Sequence, residues 1–233
     1  MQLHRGDGGV LRVGHRGAAA VAPENSVAAI EAAARAGLDA VELDVSRGAD
    51  GSIVLAHGPA IPPDAPSLDD GLLAAARGGL AVQLDIKAPG LEREVAEAVR
   101  GHGLADRAFV SSFSLPILAA FAAAAPGLPR SYTYPDDRLG LARRRVLRPA
   151  VRAGLAAMRA ALPRRLPSRL RAVGASAATL NWTVMSPAVV AVCHARGAAV
   201  LVWTVNEPDL ARSLAKMGAD GIISDDPGIF LTS

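Results

Sequence analysis

Residues 13–44 read V-G-H-R-G-A-A-A-V-A-P-E-N-S-V-A-A-I-E-A-A-A-R-A-G-L-D-A-V-E-L-D. A short apolar run ends in His15, Arg16 and Gly17, and a second one ends in Glu42 and Asp44. Between them, Pro23 and Glu24 break the chain, Asn25 or Ser26 can cap a helix reaching about Arg35, and Gly37 ends it. Two strands joined by a helix form a βαβ unit, whose parallel strands bring their polar ends to one edge.

The same layout repeats outward from this unit. Val10–Gly14 is the first strand and Ala40–Val45 the second. Asp50-Gly51 is a turn, and Ser52–Ala56 is a short strand carrying His57 at its end, a hairpin or excursion on the rim. Four prolines make Gly58–Pro66 a loop, after which Ser67 or Asp69 caps a helix over Asp70–Arg77. Further strands are expected at Ala81–Ile86, Ala108–Val110, Arg130–Thr133, Arg171–Gly174, Ala198–Val205 and Gly221–Ser224. The helices between them run from Pro89-Gly90 to about Gly101, then over Pro116–Ala124, Ser186–Arg196 and Asp209–Lys216. Gly140–Ala161 is helix-compatible with a kink at Pro149, and Pro163–Ser168 reads as a loop. Eight parallel strands alternating with helices argue for a (β/α)8 TIM barrel, one α/β domain over residues 1–233, with an open α/β sheet as the competing fold.

Composition narrows the class of protein. With 233 residues and 51% hydrophobic side chains the chain can build a large core, and with 3% aromatics that core must be mostly Ala, Leu and Val. The net charge of +3 hides an asymmetry, because eleven arginines lie between Arg138 and Arg171. Such a segment suits phosphate compounds or peripheral contact with an anionic membrane surface, or is simply a solvated helical face. No aromatic residues are interleaved with it, which argues against nucleic acid. Cys193 is the only cysteine, so no intrachain disulfide can form. No apolar run has the length of a signal peptide or a bilayer span, and a cytoplasmic location is expected.

In a barrel the strand ends converge on one mouth. They bring together His15 and Arg16, Glu42 and Asp44, Asp85 and Lys87, with His57 added by the excursion. Glu42 and Asp44 are two residues apart on a strand and point the same way. Paired carboxylates repel unless a cation neutralises them, and Asp85 can be the third oxygen ligand. An all-carboxylate set favours one divalent cation, Mg2+ or Ca2+, over zinc. His15 and His57 titrate near neutrality and suit general acid/base work. Arg16 offers a fork for phosphate oxygens or pairs with Glu24, and Lys87 serves the same phosphate or holds Asp85.

Six stretches carry a family resemblance: V-G-H-R-G with P-E-N-S at 13–26, V-E-L-D-V at 41–45, D-G-S-I-V-L-A-H at 50–57, L-D-I-K at 84–87, V-W-T-V-N at 202–206 and G-A-D-G-I-I-S-D-D-P at 218–227. In this order they resemble the glycerophosphodiester phosphodiesterase family. That resemblance implies a TIM barrel which binds a divalent metal and hydrolyses small glycerophosphodiesters to sn-glycerol 3-phosphate and an alcohol. It implies further that His15 and His57 are catalytic and that Glu42, Asp44 and Asp85 are metal ligands. Arg16 and Lys87 fall at phosphate-contacting positions, and Trp203 matches an aromatic lining the substrate pocket, unless it is a core tryptophan. The glycerol 2-hydroxyl is the implied nucleophile, giving a cyclic phosphate that water opens. Two positions depart from the pattern: Gly58 follows His57 where the family commonly has Asp, and Asp85 stands where it commonly has Glu. The excursion from Gly58 to Leu80 is short and favours a small, open lid. Action on a lysophospholipid or glycerophosphoinositol, or phosphate binding without catalysis, are the competing functions.

Overall fold

β1 (Leu11–His15) closes the sheet, pairing in parallel with β2 (Ala40–Arg47) on one side and β9 (Gly221–Ser224) on the other. The structure is a computed structural model that describes Leu3 and residues 9–58, 60–136 and 148–231. Round the ring from β9 come β8 (Ala199–Trp203), β7 (Ala177–Asn181), β6 (Arg130–Tyr134), β5 (Ala108–Ser112) and β4 (Ala81–Ile86), which returns to β2. Eight parallel strands therefore form a closed barrel, as expected. β3 (Ile53–Leu55) lies outside the ring, antiparallel to β2, and is the anticipated hairpin ending just before His57.

Among the described residues seven α-helices clothe the barrel: α1 (Val27–Arg35), α2 (Leu68–Arg77), α3 (Glu92–Gly101), α4 (Leu115–Ala124), α5 (Arg148–Ala172), α6 (Pro187–His194) and α7 (Pro208–Met217). Ser26 caps α1 by accepting from the Ala29 amide, and Ser67 closes a reciprocal capping box with Asp70 on α2. These hydroxyls satisfy amides that the first turn cannot pair within the helix.

The helix expected over Gly140–Ala161 is present from Arg148, and the departures lie further along, between Pro163 and Asn181. Residues 140–147 lie outside the described residues. Pro149 lies at the second described residue of α5, so the kink expected there falls at the border of the described residues. Pro163–Ser168 is not a loop but part of α5. Leu162, Leu166 and Leu170 recur every four residues and are all buried, and this seam carries the helix through Pro163 and Pro167. The strand expected at Arg171–Gly174 is instead Ala177–Asn181. Its A-A-T-L-N sequence has little intrinsic strand preference, and pairing with β6 and β8 imposes the conformation.

The barrel interior changes character with height. Its floor is apolar, built from Leu11, Val13, Ala40, Ala81, Phe109, Ala177, Leu201 and Ile223. Above lie buried Gln83, Ser111, Ser131 and Thr179, joined by hydrogen bonds, and above these the charged residues of the mouth. The second core, between strands and helices, is aliphatic as composition required.

The turn His15-Arg16-Gly17 is folded tightly against α1. Gly17 has φ +88°, and a Cβ there would fall 2.7 Å from both the carbonyl carbon and Cβ of Ala29. Gly17→Ala therefore costs roughly 2–5 kcal/mol from left-handed strain plus overpacking, read by guanidinium denaturation. An unchanged midpoint would show that the turn yields freely.

Candidate active site at the barrel mouth

Sheet register places the acids. His15 stands beside Glu42 across the β1–β2 pair, and Asp44 beside Asp85 across the β2–β4 pair. Glu42, Asp44 and Asp85 are all buried, and one oxygen of each lies within 4.8 Å of the others. Burial, then repulsion from Asp44, pushes the Glu42 carboxyl up to about 7. Asp44 goes the opposite way. Burial alone would raise it, but the hydrogen bond from His57 and the charges of Lys87 and Arg16 hold it well below the usual carboxylate range.

Asp44 is the hub of the cluster. Its Oδ1 lies 2.6 Å from Lys87 Nζ, which also bonds Asp85. Its Oδ2 lies 3.2 Å from His57 Nδ1 and 3.0 Å from Arg16 Nε. The Arg16 Nε contact is one of charge, since that nitrogen makes no hydrogen bond. Burial opposes the Lys87 charge, but Asp85, Asp44 and Glu42 more than compensate and raise its pKa.

Arg16 itself has φ +51°, a left-handed conformation that is costly for a side chain with a Cβ. Its amide donates to Glu42 Oε2 at 3.1 Å, and its guanidinium reaches Glu24 at 2.6 Å. The pairing with Glu24 allowed by the sequence is thus present together with the approach to Asp44.

His15 is held from behind. Its Nδ1 lies 2.6 Å from Asp225 Oδ1, while Nε2 faces the acids, 3.9 Å from Glu42 Oε2. Burial would lower its pKa, yet the Asp225 hydrogen bond and the Glu42 charge outweigh it and raise it. Asn206 in turn grips Asp225, donating at 2.6 Å from Nδ2 and accepting the Asp225 amide at 3.0 Å.

Three more residues belong to this constellation, although their roles were not read from the sequence. Asn25 donates to Asp44 Oδ2 and accepts the Asp44 amide, both at 3.0 Å, fastening the first loop to β2. Ser111 donates to Asp85 Oδ1 at 2.6 Å. Asp225 orients His15. Asn25 and Asp225 lie inside the recognised P-E-N-S and S-D-D-P stretches, so motif membership was the available signal. Ser111 had none beyond its place at a strand end.

Trp203 lines the mouth, packing edge-on to Phe113 with ring centroids 5.8 Å apart. The mouth opens into a cavity of about 1280 Å³, with Ile61, Pro89, Pro116 and Ile117 on its apolar side. All eight expected residues, His15, Arg16, Glu42, Asp44, His57, Asp85, Lys87 and Trp203, line this one cavity.

The chain matches the Glycerophosphoryl diester phosphodiesterase family over residues 15–65 and 82–229. A curated relative, glycerophosphodiester phosphodiesterase of Caldanaerobacter subterraneus, is 24% identical, with 93% of this chain and 94% of the relative covered. Among solved structures, an Oleispira antarctica phosphodiesterase in complex with the product sn-glycerol-3-phosphate superposes with a TM-score of 0.76 at 22% identity, covering 94% of each chain. Glycerophosphodiester phosphodiesterase from Agrobacterium tumefaciens gives 0.73 at 22% identity, covering 96% of this chain and 100% of that one. At these identities the structures establish a shared fold, while the sequence match extends through both histidines, all three acids and the final strand. The chain belongs to the glycerophosphoryl diester phosphodiesterase family.

Proposed function

We propose that this protein hydrolyses glycerophosphodiesters to sn-glycerol 3-phosphate and an alcohol, using one divalent cation and the two histidines. The observation that carries this reading is the convergence of three buried carboxylates between His15 and His57. The donor set fits a hard cation, being all oxygen, and although burial is the first cause of the raised Glu42 carboxyl, Asp44 and Asp85 add a repulsion that a cation would relieve. Glu42, Asp44 and Asp85 would hold Mg2+ or Ca2+, which when bound polarises a phosphoryl oxygen as a Lewis acid.

The remaining work falls to the chain's own side chains. Arg16 and Lys87 place positive charge beside the acids, where phosphate oxygens gain negative charge in the transition state. One histidine accepts the proton of the glycerol 2-hydroxyl as its oxygen forms a bond to phosphorus. The other protonates the departing alkoxide as the old P–O bond breaks. Water then opens the cyclic phosphate with the two roles exchanged. Asp225 keeps Nε2 of His15 aimed into the mouth, and Asp44 does the equivalent for His57 through Nδ1.

The cavity supports a second substrate class. At about 1280 Å³ it exceeds a typical small-ligand site, and its apolar wall suits a larger alcohol or the acyl chain of a lysophospholipid. The decisive test is a coupled assay for glycerol 3-phosphate. It uses glycerophosphocholine, -ethanolamine, -glycerol and -inositol, and beside them a lysophosphatidylcholine whose cleavage to lysophosphatidic acid is read by the choline released, in Mg2+, Ca2+ or EDTA. Turnover of at least one substrate is expected, abolished by EDTA and restored by one of the metals. Failure on every substrate in every metal would overturn the reading and leave a phosphate-binding barrel.

A further inference from the structure

Charge is segregated along this chain to a degree that catalysis does not require. Residues 107–206 contain fourteen arginines, no lysine, and only Asp136 and Asp137 as acids, whereas the rest of the chain carries twenty acids against eleven Lys and Arg. That basic stretch includes β5, β6, β7 and β8, four adjacent strands of the ring.

The helices of the basic half are unusual as well. α5 has 25 residues, about 37 Å of helix, against about 15 Å for the ten-residue helices around it. Its last three turns bury Leu162, Leu166 and Leu170, but from Ala153 to Ala161 no side chain is buried. Arg169 reaches the rings of both Tyr132 and Tyr134, the latter being the last residue of β6. The turns preceding Arg169 therefore run past the strand ends, on the side where the mouth opens. Arg159, Arg164 and Arg165 on this helix are exposed. Beside it, α4 has no polar or charged side chain and turns Pro116, Ala119 and Ala123 to solvent. α5 also packs on the short turn Trp182–Val184 that follows β7, and Trp182 is 43% exposed.

We propose that the flank formed by α4, α5 and Trp182 docks on an anionic lipid surface, with the barrel mouth turned toward it. Exposed arginines supply the long-range attraction, an uncharged helix face costs little to dehydrate, and a rim tryptophan suits the headgroup region of a bilayer. A nucleic acid would use the arginines but gain nothing from the uncharged α4 face, and Trp182 is the only large exposed aromatic among the described residues. The docked orientation brings the apolar side of the cavity, with Pro116 and Ile117, close to the lipid.

The test is co-sedimentation with vesicles of phosphatidylcholine alone or mixed with phosphatidylglycerol. The full chain binds the mixed vesicles only, and salt weakens that binding. Reversing charge together at Arg159→Glu, Arg164→Glu and Arg165→Glu lowers the partition constant by at least on the order of a hundredfold, since loss of each arginine's charge alone is worth about fivefold near such a surface and the new carboxylates add repulsion. Trp182→Ala lowers it roughly tenfold through lost apolar burial. Far-UV circular dichroism confirms that both variants remain folded. Equal binding to neutral vesicles, no binding to either kind, or full binding by the charge-reversed variant overturns the proposal. So does binding to single-stranded RNA as tight as to the mixed vesicles with Trp182→Ala without effect, which makes the flank a general polyanion surface.

Discussion

His15→Ala lowers kcat by roughly 10²–10⁴-fold, the range associated with loss of a positioned proton-transfer group. The barrel should survive, because His15 sits at the end of β1, at the mouth and above the apolar floor. Single-turnover rates and a thermal melt read the two quantities separately. Asp225→Asn is the companion experiment. Asp225 raises the His15 pKa, so its neutralisation lets that pKa fall. Whether His15 donates or accepts the proton, the limb of the pH–rate profile that belongs to it moves to lower pH. A His15→Ala variant with full turnover would remove the histidine from the chemistry. An unmoved profile in Asp225→Asn would remove Asp225 from its control.

Asp44→Ala is expected to damage both activity and stability. It removes one of three carboxylates from the candidate cation site, a loss beyond the roughly 10–100-fold typical of outer-shell changes. It also strips Lys87, Arg16 and His57 of a shared partner and leaves Asn25 with nothing to bridge. Breaking a buried ion pair on one side costs about 3–5 kcal/mol, and relief of the repulsion on Glu42 places this case near the lower figure. The pH dependence has a definite sign. A carboxyl whose pKa falls on folding contributes its stability above its unfolded pKa, about 4, and loses it as the pH drops toward the folded value. Wild type and variant therefore differ most near neutrality and converge in acid. Denaturation midpoints that differ equally at pH 7 and pH 3 would contradict this.

Much of the fold was legible because its strands end on residues that have no other reason to be there. Glu42, Asp44 and Asp85 interrupt apolar runs, and an ordinary buried strand would not carry them. Gly221–Ser224 and Ala81–Ile86 were read to the residue. Legibility failed between Pro163 and Asn181. There prolines inside a helix and an Ala-Ala-Thr strand contradict local preference, and the deciding influences are a leucine seam and two neighbouring strands. Around the mouth, the residues proposed for catalysis and metal binding were readable from their chemistry. Those that hold them in place were not, since an Asn, an Asp and a Ser acquire meaning only from a partner far away in the chain. Ser111 contacts an aspartate 26 residues away, and Asp225 a histidine 210 residues away.

That last separation has a consequence for how the protein is made. β1 emerges from the ribosome well before β9, and its His15 has no orienting carboxylate until residue 225 has been synthesised and β9 has docked beside β1. Ring closure of such high contact order is a late and slow event. A nascent chain halted before Asp225 lacks this brace however well its earlier helices have formed, so competence for turnover waits for the last strand of the barrel.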